Sequence, residues 1–144
     1  MQTVVFTLGK EEYGIPIEDV REIARLEKIY PVPQVFADVK GLINIRGQAI
    51  PLLDLHKRFD VRQVQELQYA IIIEIKSSLV ALAVEEVKEV KFFEEVSPPP
   101  ALLKSPMLGG LINLQERIII LLKPEGLLQE EELKLLQDLI AENT

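Results

Sequence analysis

The side chains able to do chemistry in this chain are few and scattered. One histidine, His56, stands beside Lys57 and Arg58 and reads as a surface or strand-end residue rather than a general base. No serine or threonine stands in a nucleophile-elbow pattern, and the glycines form no phosphate-cradling loop. Cysteine is absent, which removes disulfides and thiolate metal sites together. The acid pairs Glu85-Glu86 and Glu94-Glu95 lie in charge-alternating surroundings and read as solvated faces, without a metal-ligand spacing. The expectation is a chain with no catalytic residues, no metal and no cofactor.

The informative polar residues, Asn44 and Arg46, lie inside Gly41-Leu42-Ile43-Asn44-Ile45-Arg46-Gly47-Gln48-Ala49-Ile50-Pro51-Leu52-Leu53-Asp54-Leu55. Two apolar runs flank Gly47-Gln48, which predicts a β-hairpin with a two-residue type II′ turn. That turn sets Ile45 opposite Ile50 and Ile43 opposite Leu52, all on one face. Leu42, Asn44 and Arg46 take the other face, opposite Leu53, Pro51 and Ala49. Pro51 lacks an N–H and belongs where no ladder bond is needed. Arg46 is placed where a long cation reaches past the rim.

The hairpin recurs as Gly110-Leu111-Ile112-Asn113-Leu114-Gln115-Glu116-Arg117-Ile118-Ile119-Ile120-Leu121-Leu122, at an offset of 110 − 41 = 69. Val84-Glu85-Glu86-Val87-Lys88-Glu89-Val90 matches Ile17-Glu18-Asp19-Val20-Arg21-Glu22-Ile23 in kind, at 84 − 17 = 67, and Pro31 and Pro33 answer Pro98 and Pro100. A register held this long marks two copies of one β module. Asn44 recurs as Asn113, so both are assigned to the module's own structure, closing backbone groups near the turn. Arg46 does not recur, since Gln115 takes its position and Glu116 that of Gly47. An arginine in one copy only is either a partner contact, because Arg is enriched at binding hot spots, or half of an internal salt bridge to Asp54 or Asp38.

The remaining elements follow from pattern. Val4 to Leu8, Tyr13 to Ile17, Tyr69 to Ile75 and Leu79 to Val84 read as strands. Glu18 to Leu26 reads as a short helix with acids in its first turn. Gln129 to Ala141 is the clearest helix, with Leu133, Leu136 and Ile140 in an apolar stripe and Leu135 and Leu139 beside it. The chain has 144 residues, 48% of them hydrophobic, and a net charge of −7. Halves of that size are marginal alone and are expected to pack closely. The acidic balance argues against nucleic acid as a partner. No stretch approaches the ~20 apolar residues of a membrane helix and no signal peptide is read, so no membrane insertion and a cytoplasmic location are expected.

Val5-Phe6-Thr7-Leu8-Gly9, Glu12-Tyr13-Gly14-Ile15, Val20-Arg21-Glu22-Ile23, the Asn44-Ile45-Arg46-Gly47 element and Ile50-Pro51 through Asp54-Leu55 resemble the CheW family of chemotaxis coupling proteins, over almost the whole chain. The resemblance implies an all-β fold with a C-terminal helix: two SH3-like five-stranded β-barrel subdomains about a pseudo-two-fold. Residues 1–144 would be a single CheW-like domain, with repeats 1–65 as the first barrel module and 66–144 as the second plus helix 129–141. Exchange of strands between the barrels stays open. The resemblance implies no enzyme, but an adaptor joining the regulatory domain of a CheA-type histidine kinase to the cytoplasmic tip of chemoreceptors. Partner binding would fall to Val20, Glu22, Arg46, Gly47 and Gln48. The structural motif would be Gly41, Asn44, Pro51, Asp54, Gly110 and Asn113. Val87 to Val90 matches less specifically, Ala81 stands where the family often has glycine, and Lys123 where Asp or Asn is common. Two other readings stand beside it: a coupling protein of a type IV pilus or other chemosensory-like pathway, and a small-ligand regulator with a pocket between the barrels.

Overall fold

The computed structural model describes residues 1–33, 35–101 and 105–142. Ten strands precede one helix: β1 (Gln2–Leu8), β2 (Glu11–Pro16), β3 (Val20–Arg25), β4 (Val39–Ile45), β5 (Gln48–Leu53), β6 (Tyr69–Ile75), β7 (Ser78–Val84), β8 (Glu86–Phe92), β9 (Leu108–Asn113), β10 (Ile118–Leu122) and α1 (Glu130–Glu142). They form two five-stranded sheets, ordered β8-β1-β2-β10-β9 and β3-β6-β7-β5-β4. Replacing each strand by its counterpart five places along the chain turns one order into the other. The fold is all-β with a C-terminal helix, and its two SH3-like barrels are topological copies.

The barrels are not the sequence halves. The second barrel is one continuous stretch, 20–84, while the first is assembled from 2–16 and 86–122. Modules of 1–65 and 66–144 therefore describe the repeat but not the barrels. The reason lies in the connections. Only Glu85 separates β7 from β8, too little for even a two-residue hairpin loop, so the chain runs on into the other sheet. The equivalent step from β2 to β3 is a 3₁₀ turn, Ile17–Asp19.

The helix expected over Glu18 to Leu26 is instead this 3₁₀ turn followed by β3. Along β3 half-buried and exposed residues alternate, and the strand pairs with β6 through Ile23↔Ile71 and Arg25↔Tyr69. Period-two burial with a sheet partner overrides the acid-first helix signal. Helix α1 begins and ends within a residue of expectation. Its N-terminus is closed by the Gln129 amide donating to Glu132 Oε1 at 2.9 Å, one half of a capping box. Leu133, Leu136 and Leu139 are its buried stripe, and Leu135 is exposed.

Among the described residues, three apolar clusters hold the molecule. The largest lies between the barrels and takes Val4, Phe6, Tyr13 and Ile15 from the first, Leu53, Ile71, Ile73 and Leu82 from the second, and Leu133 and Leu136 from α1. The interior of the second barrel holds Ile43, Ile50, Leu52, Ala70, Ile72, Ala81 and Ala83. The first is filled by Val5, Phe93, Ile112, Ile119 and Leu121. Ala70 and Ile72 thus face the barrel interior while Ile71 and Ile73 face the other barrel. Burial on both faces is why β6 reads as a near-continuous apolar run.

Each barrel is closed by the segment after its β3-type strand. Tyr30 bridges Leu42, and Ser97 bridges Leu111, at the equivalent place in the second copy. Gly41 (φ 148°) and Gly110 (φ 157°) sit beside these bridges. A Cβ at Gly41 would lie 2.4 Å from the Tyr30 carbonyl oxygen, and one at Gly110 2.7 Å from that of Ser97. The shared glycine of the repeat is there to let the closing backbone approach. Gly41→Ala and Gly110→Ala are each expected to lose roughly 2 kcal/mol or more of stability, from strained φ plus the clash. Equilibrium denaturant unfolding measures this, and an unchanged midpoint for either variant would contradict the role.

Candidate functional site

The first hairpin turns one residue earlier than its sequence suggests. Ile45 pairs with Gln48, Asn44 with Ala49, Ile43 with Ile50 and Leu42 with Pro51. The two loop residues are Arg46 (φ 51°) and Gly47 (φ 84°). Positive φ at both is the type I′ geometry, whose twist suits paired strands, and not the type II′ expected from glycine at the first position. Each partner moves by two residues, so the division of side chains between the faces survives. Asn44 supports this turn, its Oδ1 accepting the Gly47 amide at 2.7 Å. An added Cβ on Gly47 would meet nothing, so glycine is needed there for φ alone.

The turn projects Arg46 back across the mouth of the second barrel onto Glu22 of β3. Nη1 donates to Glu22 Oε2 at 3.0 Å and Nη2 to Oε1 at 2.6 Å, a bidentate fork. Strands β3 and β4 are the opposite ends of the sheet order, and the barrel's curvature brings them together. Arg46 therefore has an internal partner, but it is Glu22 and not Asp54 or Asp38. The Arg46 hydrogen bonds hold the Glu22 carboxyl below its usual range, and Glu22 raises Arg46. The Arg46 side chain nevertheless remains 76% exposed. Ile45, Ile50, Ile72 and Leu79 line the shallow recess beside it, together with the Arg21–Glu74 ion pair.

The other expected contact residues divide. Gln48 is exposed next to the turn, whereas Val20 is half-buried against the inter-barrel cluster. Pro51 is buried one residue before the parallel pairing of β5 with β7 begins at Leu52↔Ala81, so its missing N–H leaves no ladder gap there. Ala81 lies wholly inside the barrel, a packing position.

The second copy has an arginine after all. Glu89, the counterpart of Glu22, meets Arg117 Nη1 at 3.4 Å. Arg117 stands two residues beyond the position of Arg46, so alignment by repeat passes over it. It is also gripped by Glu12, through Nε at 3.1 Å and Nη2 at 2.6 Å, and is only 29% exposed. Its hairpin tip is closed by the Leu114 amide donating to the Arg117 carbonyl, without positive φ at Gln115 or Glu116. Asn113, exposed at the end of β9, therefore has no Gly47-type turn to brace. Arg46 is the accessible member of the two.

Two networks were missed in the sequence. Arg58 joins Asp38 before β4, the Leu127 carbonyl (2.6 Å) and Glu132 of α1, which fastens the helix to the second barrel. The Arg58 hydrogen bonds hold the Glu132 carboxyl low. His56 and Glu85, expected at the surface, are 7% and 1% exposed. The His56 ring lies between Asp54 through Nδ1 and Glu85 through Nε2, the latter at 2.6 Å. His56 and Glu85 are 29 residues apart and Arg58 and Glu132 74 apart, so no local pattern marks the pairing that completes either network.

Among the described residues, no group of three His, Cys, Asp or Glu side chains is placed to hold a metal. The family model described as a CheW-like domain matches residues 2–132. This chain belongs to the CheW-like family. Chemotaxis protein CheW of Klebsiella aerogenes is 33% identical over 94% of this chain and 86% of its own length. Chemotaxis protein CheW of Treponema pallidum is 30% identical over 96% and 88%. The crystal structure of the scaffolding protein TtCheW from Thermoanaerobacter tengcongensis matches with a TM-score of 0.77 and 33% identity, over 85% of this chain and 88% of that one. The two barrels are thus the CheW-like architecture, and the family places the chain among chemotaxis scaffold proteins.

Two outcomes follow from the site. Asn44→Ala removes one brace from an exposed turn and is expected to lower stability by about 0.5–1.5 kcal/mol, read by thermal melts. Arg58→Ala leaves Asp38 and Glu132 without their shared cation in a partly buried setting. Its expected cost is about 2–4 kcal/mol, together with early loss of α1 in hydrogen exchange.

Proposed function

We propose that this CheW-like chain is a non-enzymatic adaptor that couples the cytoplasmic tip of chemoreceptors to the regulatory domain of a CheA-type histidine kinase. It would work in the cytoplasm, brought to membrane-associated receptor arrays by its partners. Family membership supports the coupling role. The observation that carries the finer reading is the Arg46–Glu22 fork, held in one geometry yet largely open to solvent. An exposed ion pair contributes little to the fold. It does fix the direction of a five-donor group beside an apolar recess, and a rigid arginine next to apolar surface is the usual make-up of a binding hot spot. A helical hairpin offers carboxylates and carbonyls that such a group can engage. Two equivalent barrels with different rims suit the joining of two partners, and Glu12 leaves Arg117 less able to serve in the same way.

Titration of the protein with a receptor-tip fragment and, separately, with a kinase regulatory domain tests the reading. Both should bind saturably. Arg46→Ala is expected to leave the melting temperature unchanged and to weaken receptor-fragment binding at least about tenfold. Arg46→Lys should restore only part, because lysine lacks the planar fork. Glu22→Ala should weaken the same contact, and the double variant should be no worse than Arg46→Ala alone, since both act through one group. Failure to bind either partner would reject the adaptor role.

A further inference from the structure

Buried at the junction of the barrels, apart from the Arg46 hairpin, is a chain of titratable groups. Asp54 and His56 follow β5 of the second barrel. Glu85 is the single residue between β7 and β8, where the chain passes from the second barrel to the first. Its backbone amide donates to the Thr7 carbonyl of β1 at 3.2 Å. Its carboxylate accepts the Val64 and Gln65 amides of the β5–β6 connection at 3.0 and 2.6 Å, and the Gly9 amide of the β1–β2 turn. The remaining contact of Glu85 is the His56 ring. Asp54 Oδ1 also takes the His56 amide at 3.1 Å, and Lys40 Nζ stands 3.4 Å from Asp54 Oδ2.

The proton count follows from valence. Ionised carboxylates only accept hydrogen bonds, and a neutral imidazole has one N–H. With a carboxylate oxygen on each ring nitrogen, only the imidazolium satisfies both. Asp54 and Glu85 carry two negative charges, and Lys40 with protonated His56 balances them. Loss of the histidine proton would set a lone pair against a carboxylate oxygen inside a buried site, an expensive arrangement.

We infer that His56 is a proton-dependent latch between the barrels: its imidazolium ties the end of β5 to the Glu85 crossover, and release of its proton loosens the contact between the two barrels. Burial alone would disfavour the charged ring, but its hydrogen bonds to Glu85 and Asp54 outweigh burial and raise its pKa above the ordinary histidine value. Burial likewise opposes ionisation of Asp54 and Glu85, and their hydrogen bonds still hold both carboxyls low. Because the His56 pKa is raised on folding, its stabilisation is complete below the unfolded value of about 6.5 and is lost as pH rises through the folded one. The carboxylates act in the opposite sense, their share being lost as pH falls through their depressed values. The latch therefore holds around neutral pH and opens on the alkaline side.

His56 is the only histidine in the chain, so its ring nitrogens can be read without ambiguity by NMR of the full protein. Both nitrogens should be protonated near neutral pH, with a titration midpoint above about 6.5. Through that midpoint the protection factors of the Gly9, Val64 and Gln65 amides should fall, by up to about tenfold per pH unit. Glu85→Gln should lower the midpoint. His56→Gln should remove the alkaline loss of thermal stability and keep the acid limb. A ring that is neutral at neutral pH overturns the latch. So do protection factors in the wild-type protein that do not change up to about pH 9, a reading that needs no variant to fold.

Discussion

The apolar cluster between the barrels is the contact on which the molecule depends. Each barrel is small, and its interior accommodates only a handful of side chains. A module of this size is marginal alone. Burying the outer face of β1 and β2 against that of β6 and β7 gives these strands a second covered face. The same cluster receives α1, so the helix seals an apolar region that neither barrel closes by itself. Strand exchange strengthens the dependence. With the first barrel assembled from both ends of the chain, neither sequence half can complete a sheet unaided.

Duplication explains what the halves share and where they differ. The glycines beside the closing bridges recur because both barrels must bring a carbonyl to the place a side chain would fill. The glutamates at the β3-type positions, Glu22 and Glu89, each meet an arginine from the hairpin facing them. What the copies do not share is the setting of that arginine. In the first hairpin a type I′ turn lifts it into solvent. In the second, Arg117 is drawn into the sheet by Glu12. One constraint, two mouths that need an ion pair, has been met by one structural solution and one exposed enough to meet a partner.

Polar groups at the junction follow a different rule from those at the rim. Around Glu85 every contact is a hydrogen bond to backbone or to a buried ring, so the carboxylate is fixed by the fold and the fold by it. At Arg46 the fork with Glu22 is open to solvent, so it contributes little to the fold. The residues that tie the barrels together and the residue presented at the rim are thus different ones.

By itself the sequence determined the class of fold, the repeat, the C-terminal helix and the family. These rest on apolar periodicity and on local motifs, which act over a few residues and need no distant partner. It also singled out Arg46, through its absence from the second copy, and Glu22, through the family resemblance, without showing that they touch. The hairpin faces were legible although the turn was misplaced, because an even shift of register preserves sidedness. Tertiary structure alone decided the rest. A strand replaced the helix over Glu18 to Leu26 because β6 offered a sheet edge. One residue between β7 and β8 sent the chain into the other barrel. Glu85 and His56, ordinary polar residues in sequence, became buried partners because that crossover brought them together, and burial is a property of what surrounds a residue rather than of the residue itself.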